Sequence, residues 1–311
     1  MIHARQRVLY ALMGIFPGHV PRIPAKYNLS HIVTMHPERL EPEQTIFLVN
    51  HIDEFDSFPV HAALRRHRDG TYHFFIRDDT YLTTKDKLVE PKSNQKKHTW
   101  ALRFARYHGA TSVTRPDTLT EDRQNAPFVY RTVLKGEDDL VIFPQGSYSR
   151  TGCVDGYLTP KRCANEPGLF GQRHLEFLSR QVGRPLNVQP VHVTYDPLTD
   201  NHIVTPGIRF STDEREWAGF PDELVECTTP TILQIYAALH RQGGQTYAMD
   251  SIDATVQRLK DQGLEPYPDR GRHPVDEIQA FRARQYLFPH DLVYLANQVG
   301  HVFDPRLEAK T

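Results

Sequence analysis

Two hydrophobic periods alternate along the first two thirds of the chain. Short, mostly apolar runs bounded by turn residues occur at 45–49, 71–76, 111–114, 139–143, 186–194 and 203–210, and each reads as a strand. Between them, apolar positions three and four apart predict helices near 57–68, 98–108, 125–135 and 168–182. Gly136 and Gly183 stand where the last two of these should stop. Strands alternating with helices imply an α/β domain, a central sheet with helices on its faces. Beyond residue 211 the pattern is helical only, with amphipathic segments at Thr228–His240, Asp250–Gln262, Pro274–Tyr286 and His290–His301. Gly263 fits a C-cap and Pro289 separates the last pair. The expected organisation is an N-terminal helical segment over 1–30, a core over 31–211, and a helical extension over 212–311 packed on that core.

The run Thr45 to Val49 ends in Asn50-His51-Ile52-Asp53-Glu54-Phe55-Asp56, which puts a histidine and carboxylates at a strand's exit. His51 and Asp56 are five apart. That spacing is about 140° around a straight helix and opposite faces of a strand, so the two meet only if the chain turns between them. An imidazole held by a carboxylate is a base able to take a proton from a weak hydroxyl nucleophile near neutral pH. Two other readings stand beside this one. Asp53 or Asp56 can simply cap a helix starting near Ser57, or His51, Asp53 and Asp56 can ligate a divalent ion in a hydrolase.

Three further blocks follow. His108 to Arg115 reads as a helix end, a glycine stop and a short β-branched strand delivering an arginine. Leu140 to Gly152 is a buried strand breaking into a Pro/Gly turn full of hydroxyls, and Val188-Gln189-Pro190-Val191-His192-Val193 is a strand interrupted by proline.

In this order and spacing the four blocks resemble the glycerolipid acyltransferase family, whose best-known members acylate glycerol 3-phosphate and lysophosphatidic acid. Asn50, His51 and Asp56 match the family's N-H-x-x-x-x-D. Gly109, Val113 and Arg115 match a G-x-x-x-V-x-R strand end. Phe143-Pro144-Gln145-Gly146-Ser147-Tyr148-Ser149-Arg150-Thr151-Gly152 stands for F-P-E-G-T-R-S-R-x-G, and Val188, Pro190 and Val191 match V-x-P-V. Ordered recurrence of four blocks over residues 40 to 210 is more specific than any one of them.

The resemblance implies a mixed central sheet flanked by helices, of the glycerol-3-phosphate acyltransferase type, and an enzyme that moves an acyl group from a thioester to a hydroxyl. Within it His51 and Asp56 are the catalytic candidates. Asn50, Arg115, Gln145, Gly146, Ser147 and Arg150 are the candidates for holding substrate. The donor would be acyl-CoA or acyl-ACP, the acceptor a lipid or lysolipid, with no bound cofactor or metal. Main-chain N–H groups around Gly146 and Ser147 can face a developing oxyanion, or the turn can be an ordinary strand-to-loop corner.

Two positions depart from the family pattern. Gln145 replaces a glutamate, keeping a hydrogen-bonding side chain without its charge. Tyr148 replaces an arginine and removes a planar fork suited to phosphate. Arg115 and Arg150 remain, so an anionic acceptor keeps two cationic candidates, while neutral, amino or sugar hydroxyls become competitors. The same departures fit a catalytically silent lipid-binding relative.

With 311 residues and 39% hydrophobic content, the chain has material for one large domain plus an appendage. Its net charge of −1 does not call for a nucleic-acid partner. Cys153, Cys163 and Cys227 are odd in number and lack metal-ligand spacing, which argues for buried, inert thiols in a reducing compartment. No run reaches the roughly 20 apolar residues of a bilayer span. Val8 to Phe16, after Arg5 and Arg7, reads as a helix packed on the core, with a membrane-surface anchor as the alternative. A cytoplasmic enzyme, peripheral on the inner membrane face when it meets lipid, is the expectation. The polar stretch Asp86 to His98 reads as a solvated loop, or as a site for coenzyme A phosphates or an acidic carrier protein through Lys92, Lys96 and Lys97. Cys153 to Gly171 is a second long loop and a candidate lid.

Overall fold

The computed structural model describes residues 31–51, 56–70, 72–77, 110–113, 134–136, 138–144, 172–214, 220–267, 273–284, 289–300 and 302–303. In chain order its elements are β1 (Ile32–Thr34), a 3-10 turn at Pro37–Arg39, β2 (Thr45–Val49), α1 (Ser57–His67), β3 (Tyr72–Arg77), β4 (Ala110–Val113), β5 (Asp139–Ile142), α2 (Gln172–Val182), β6 (Asn187–Asp196), β7 (Asn201–Pro206), β8 (Phe210–Ser211), α3 (Phe220–Val225), α4 (Ile232–Asp261), α5 (Pro274–Arg284) and α6 (Pro289–Gln298).

The strands form one mixed sheet in the order β1-β7-β6-β2-β5-β3-β4, with β8 also beside β6. Strands β2 to β6 run parallel, while β7 and β8 run antiparallel to β6 and β1 follows β7. All five residues of β2 are buried, as a near-continuous apolar run in a two-sided sheet requires. Alternation sorts its side chains onto two faces. Ile46 and Leu48 join Leu140, Ile142 and Val188 under Leu175 and Leu178 of α2, with Leu224 of α3. Phe47 and Val49 join Val141, Val191 and Val193 under Val60, Ala63 and Leu64 of α1. The two crossover helices thus cover opposite faces.

At the amino-terminal end of β2 and β5, Arg68 and Asp139 form a buried ion pair at 2.9 Å, and Asp139 also accepts the Thr45 N–H at 2.8 Å. Burial pushes the Asp139 carboxyl up to about 6 against the opposing pull of Arg68.

Strand expectations at 45–49, 71–76, 111–114, 139–143 and 186–194 meet β2 to β6 within two residues at each end, although Thr71 and Thr114 lie outside the described residues. The run at 203–210 is not one strand. It splits into β7 and β8 around Gly207, whose N–H donates to the Pro190 carbonyl at 2.8 Å. A Cβ at Gly207 would lie 2.7 Å from Pro190 Cγ, so glycine lets the chain turn there. Pro190 sits in an interior strand because its main-chain nitrogen faces this turn and not a continuing ladder. β1 and α3 carry too few residues to show a period in sequence. The expected helix 98–108, the N-terminal segment and the loops 86–98 and 153–171 lie outside the described residues, as does all of 125–135 but its last two positions.

The C-terminal helices build their own apolar cluster, with Ile235, Leu239, Ile252 and Leu259 of α4, Ile278 and Phe281 of α5, and Leu295 and Ala296 of α6. The segments expected at 228–240 and 250–262 are the two arms of α4, which breaks at Gly244 (φ 82°, ψ −175°). That left-handed φ suits glycine. Thr231 and Gln234 close the start of α4 with a reciprocal capping box. The join to the sheet is polar: Thr205 meets Thr229 at 2.7 Å, Asn201 donates to the Tyr267 hydroxyl at 2.8 Å, and Gln234 donates to Thr194 at 2.8 Å. Among the described residues no helix is long and apolar enough to cross a membrane.

Candidate active site

Strand β2 leads through α1 to β3 on one side of it, whereas β5 leads through α2 to β6 on the other. Adjacent parallel strands whose connections leave in opposite directions open a crevice at their carboxyl ends, where α/β folds collect ligands. His51 follows β2 and Phe143 follows β5. Their rings pack at 4.6 Å between centroids, so the first and third sequence blocks meet at this switch point.

The turn after β2 also brings His51 to Asp56. Nδ1 of His51 lies 3.1 Å from Oδ2 of Asp56, and the two side chains are 17% and 1% exposed. The carboxylate is dry while the imidazole keeps an opening to solvent. Asp56 stands at the N-cap position of α1 but makes no side-chain capping bond, so the capping role weighed from sequence does not describe it. The amino-terminal dipole of α1 still favours its negative charge. An ionised Asp56 accepts the Nδ1 proton and so directs the lone pair of the neutral ring to Nε2.

Asn50, expected at the substrate, is buried and turned into the sheet. Its Nδ2 donates to the Val193 carbonyl at 2.8 Å and its Oδ1 accepts the Val193 N–H at 2.6 Å. β2 and β6 pair through Val49 and Val191, and the Asn50 N–H still reaches the Val191 carbonyl at 3.4 Å. One residue later β2 has left, and the carboxamide takes the place of the missing strand against Val193. Asn50 therefore fixes the point from which His51 departs.

Of the other candidates, Arg115, Gln145, Gly146, Ser147 and Arg150 lie outside the described residues. So does Asp53, the third ligand of the metal reading. Among the described residues no three His, Cys, Asp or Glu side chains gather as a metal-binding group. Cys227 is fully buried, and burial pushes its thiol up to about 12, as an inert cysteine requires. The residue missed in the sequence reading is Phe143. Its place directly after an apolar strand and before Pro144 was visible, but the ring it packs on comes from a strand nearly a hundred positions earlier.

No protein-family model matches the chain, and no curated protein matches it in sequence. Among solved structures, the crystal structure of the 1-acyl-sn-glycerophosphate (LPA) acyltransferase PlsC from Thermotoga maritima aligns over 83% of this chain and 95% of that one, at 12% identity and a TM-score of 0.36. This is a distant likeness, too weak to identify a family.

Proposed function

We propose that the protein is an O-acyltransferase that moves a fatty acyl group from an acyl thioester, acyl-CoA or acyl-ACP, to a hydroxyl of a lipid-related acceptor. The observation that carries this reading is the His51–Asp56 pair at 3.1 Å, set at the switch point of the sheet with Phe143 of the third block against its ring.

In this reading Nε2 of His51 takes the proton of the acceptor hydroxyl as the oxygen attacks the thioester carbon. Asp56 holds the ring in the required tautomer and stabilises the imidazolium that forms. The new C–O bond replaces the C–S bond, and the proton on His51 leaves with the departing thiolate. The protein supplies no covalent nucleophile. Main-chain N–H groups at Gly146 and Ser147, which follow Pro144 and Gln145 in the chain, are assigned to the oxyanion. Arg115 and Arg150 are assigned to an anionic part of a substrate. With Tyr148 and Gln145 in place of an arginine and a glutamate, the favoured acceptor is a lipid-related hydroxyl other than glycerol 3-phosphate.

The test is thiol release from an acyl thioester by purified protein across a panel of glycerol phosphates, lysolipids and neutral lipid hydroxyls. His51→Ala should abolish transfer without moving the unfolding midpoint. Asp56→Asn should reduce kcat by about 10⁴, because an amide facing Nδ1 selects the wrong tautomer. Turnover near the parent value by either variant would sink the general-base assignment.

A further inference from the structure

We infer that Gln234, on the C-terminal helices, is a positioning residue for the His51–Asp56 pair, acting through the end of β6 and Asn50. The inference rests on the site described above and gives the C-terminal helices a part in it.

The path is short and every step is a buried hydrogen bond or a covalent neighbour. β6 runs on past the end of β2, and its overhanging residues Val193 and Thr194 are both buried. Val193 bonds the Asn50 carboxamide through its N–H and its carbonyl. Thr194, the next residue, accepts from Nε2 of Gln234 at 2.8 Å. The same nitrogen donates to Oε1 of Gln298 on α6 at 2.5 Å, while Oε1 of Gln234 accepts the Thr231 N–H at 2.8 Å. Both amide protons and the amide oxygen of Gln234 are thus used, in a place with no measurable exposure.

A saturated amide in the dry interior has one good orientation, since rotating it would set donor against donor or leave a buried group unpaired. On its other edge the overhang of β6 pairs with β7, Val193 with Val204 and Thr194 with Ile203, and Gln234 adds to that ladder a bond on Thr194 that helps fix where the overhang lies. The overhang fixes Asn50, and Asn50 fixes the first residue of the turn that carries His51. Catalytic geometry is sensitive to shifts of about 1 Å. Loosening this path should lower the rate of the proton-transfer step while leaving substrate affinity largely alone.

The experiment uses the full chain with Gln234→Met, Thr194→Val, Thr194→Ser and, as a packing control, Leu295→Ala inside the C-terminal cluster. Steady-state kinetics are paired with NMR of the His51 Nδ1–H, identified by its loss in His51→Ala. Gln234→Met and Thr194→Val should each lower kcat by about tenfold with KM within about twofold, and should broaden the Nδ1–H signal. Thr194→Ser, which keeps the hydroxyl, should match the parent. Leu295→Ala should lower the unfolding temperature but leave kcat and the signal unchanged. Parent-like kcat and Nδ1–H in Thr194→Val would overturn the inference even if Gln234→Met fails to fold. Equal losses in Leu295→Ala would do the same, by showing a general response to instability. If the parent protein transfers no acyl group, the proposed function fails, and the NMR comparison still decides whether Gln234 positions His51.

Discussion

Replacing Asn50 by alanine removes, from a place closed to water, the acceptor for the Val193 N–H and a donor to its carbonyl. A buried polar group left without a partner costs about 1–3 kcal/mol. Two such groups give a loss of about 2–6 kcal/mol, a large share of the roughly 5–15 kcal/mol that holds an ordinary domain together. Asn50→Asp makes the sharper test because it keeps the shape. Its carboxyl still accepts from the Val193 N–H but, when ionised, sets negative charge against the Val193 carbonyl. Burial and that repulsion raise the introduced carboxyl in the folded state above its unfolded value near 3.9. A raised folded value contributes stability that is fully present below about 3.9 and is lost as pH rises through the folded value. Asn50→Asp should therefore lie close to the parent at about pH 4 and fall away from it by about pH 8. Urea denaturation of parent and variants at both pH values measures this, and taking differences from the parent cancels its own titrations. A cost below about 1 kcal/mol for Asn50→Ala, or a pH-independent penalty for Asn50→Asp, would refute the claim that the carboxamide replaces the missing strand.

Activity should survive exhaustive chelation, because the thioester already carries a good leaving group; loss on chelation, restored by one divalent metal, would favour the hydrolase reading. If the acceptor carries phosphate or carboxylate, Arg115→Ala should raise its apparent KM by the equivalent of about 1.5–3 kcal/mol, the worth of a charge-assisted hydrogen bond, and a neutral acceptor should show almost no change. Tyr148→Arg combined with Gln145→Glu should improve use of glycerol 3-phosphate or lysophosphatidic acid, and efficient use of glycerol 3-phosphate by the parent would contradict the acceptor proposed above. Asp196 is pushed up to about 6 by burial, against hydrogen bonds from Thr199 and Leu198. Its contribution is present below its ordinary value and lost as pH rises through about 6, so Asp196→Asn should flatten a stability change of about 2–3 kcal/mol over that interval, measured by denaturation across pH.

The legible parts of this fold are those whose local chemistry is unambiguous. Thr45–Val49 is buried throughout, with four apolar residues after Thr45, because both its faces are covered, and it could be read to the residue. The sequence pattern showed two separate helical segments at 228–240 and 250–262, and α4 breaks between them at Gly244. The split between β7 and β8 was missed although Pro206-Gly207 marks it, because apolar residues on either side kept a strand-like run going. In the site, the five-residue spacing allowed His51 and Asp56 to meet only if the chain turned between them, and they lie 3.1 Å apart. The task of Asn50 was not readable, because it depends on β6 outrunning β2, a register set by residues 140 positions further along. Phe143 was hidden for the same reason: a ring contact between two strand exits is a property of the sheet order.

The join between sheet and C-terminal helices is made of matched donors and acceptors on Thr194, Thr205, Asn201, Thr229, Gln234 and Tyr267, with Gln298 holding Gln234 from within the helices, while the greasy residues of the helices pack mainly on one another. Apolar surfaces tolerate sliding, whereas a pattern of donors and acceptors fits in one arrangement. The join therefore behaves as a key does in a lock, selecting an orientation more than supplying adhesion. A chimera that exchanged these helices for another set would keep a competent core only if it carried the Thr231, Gln234 and Gln298 positions with it. Substitutions among Leu239, Ile252 and Leu259 that conserve volume would pass unnoticed at the distant histidine.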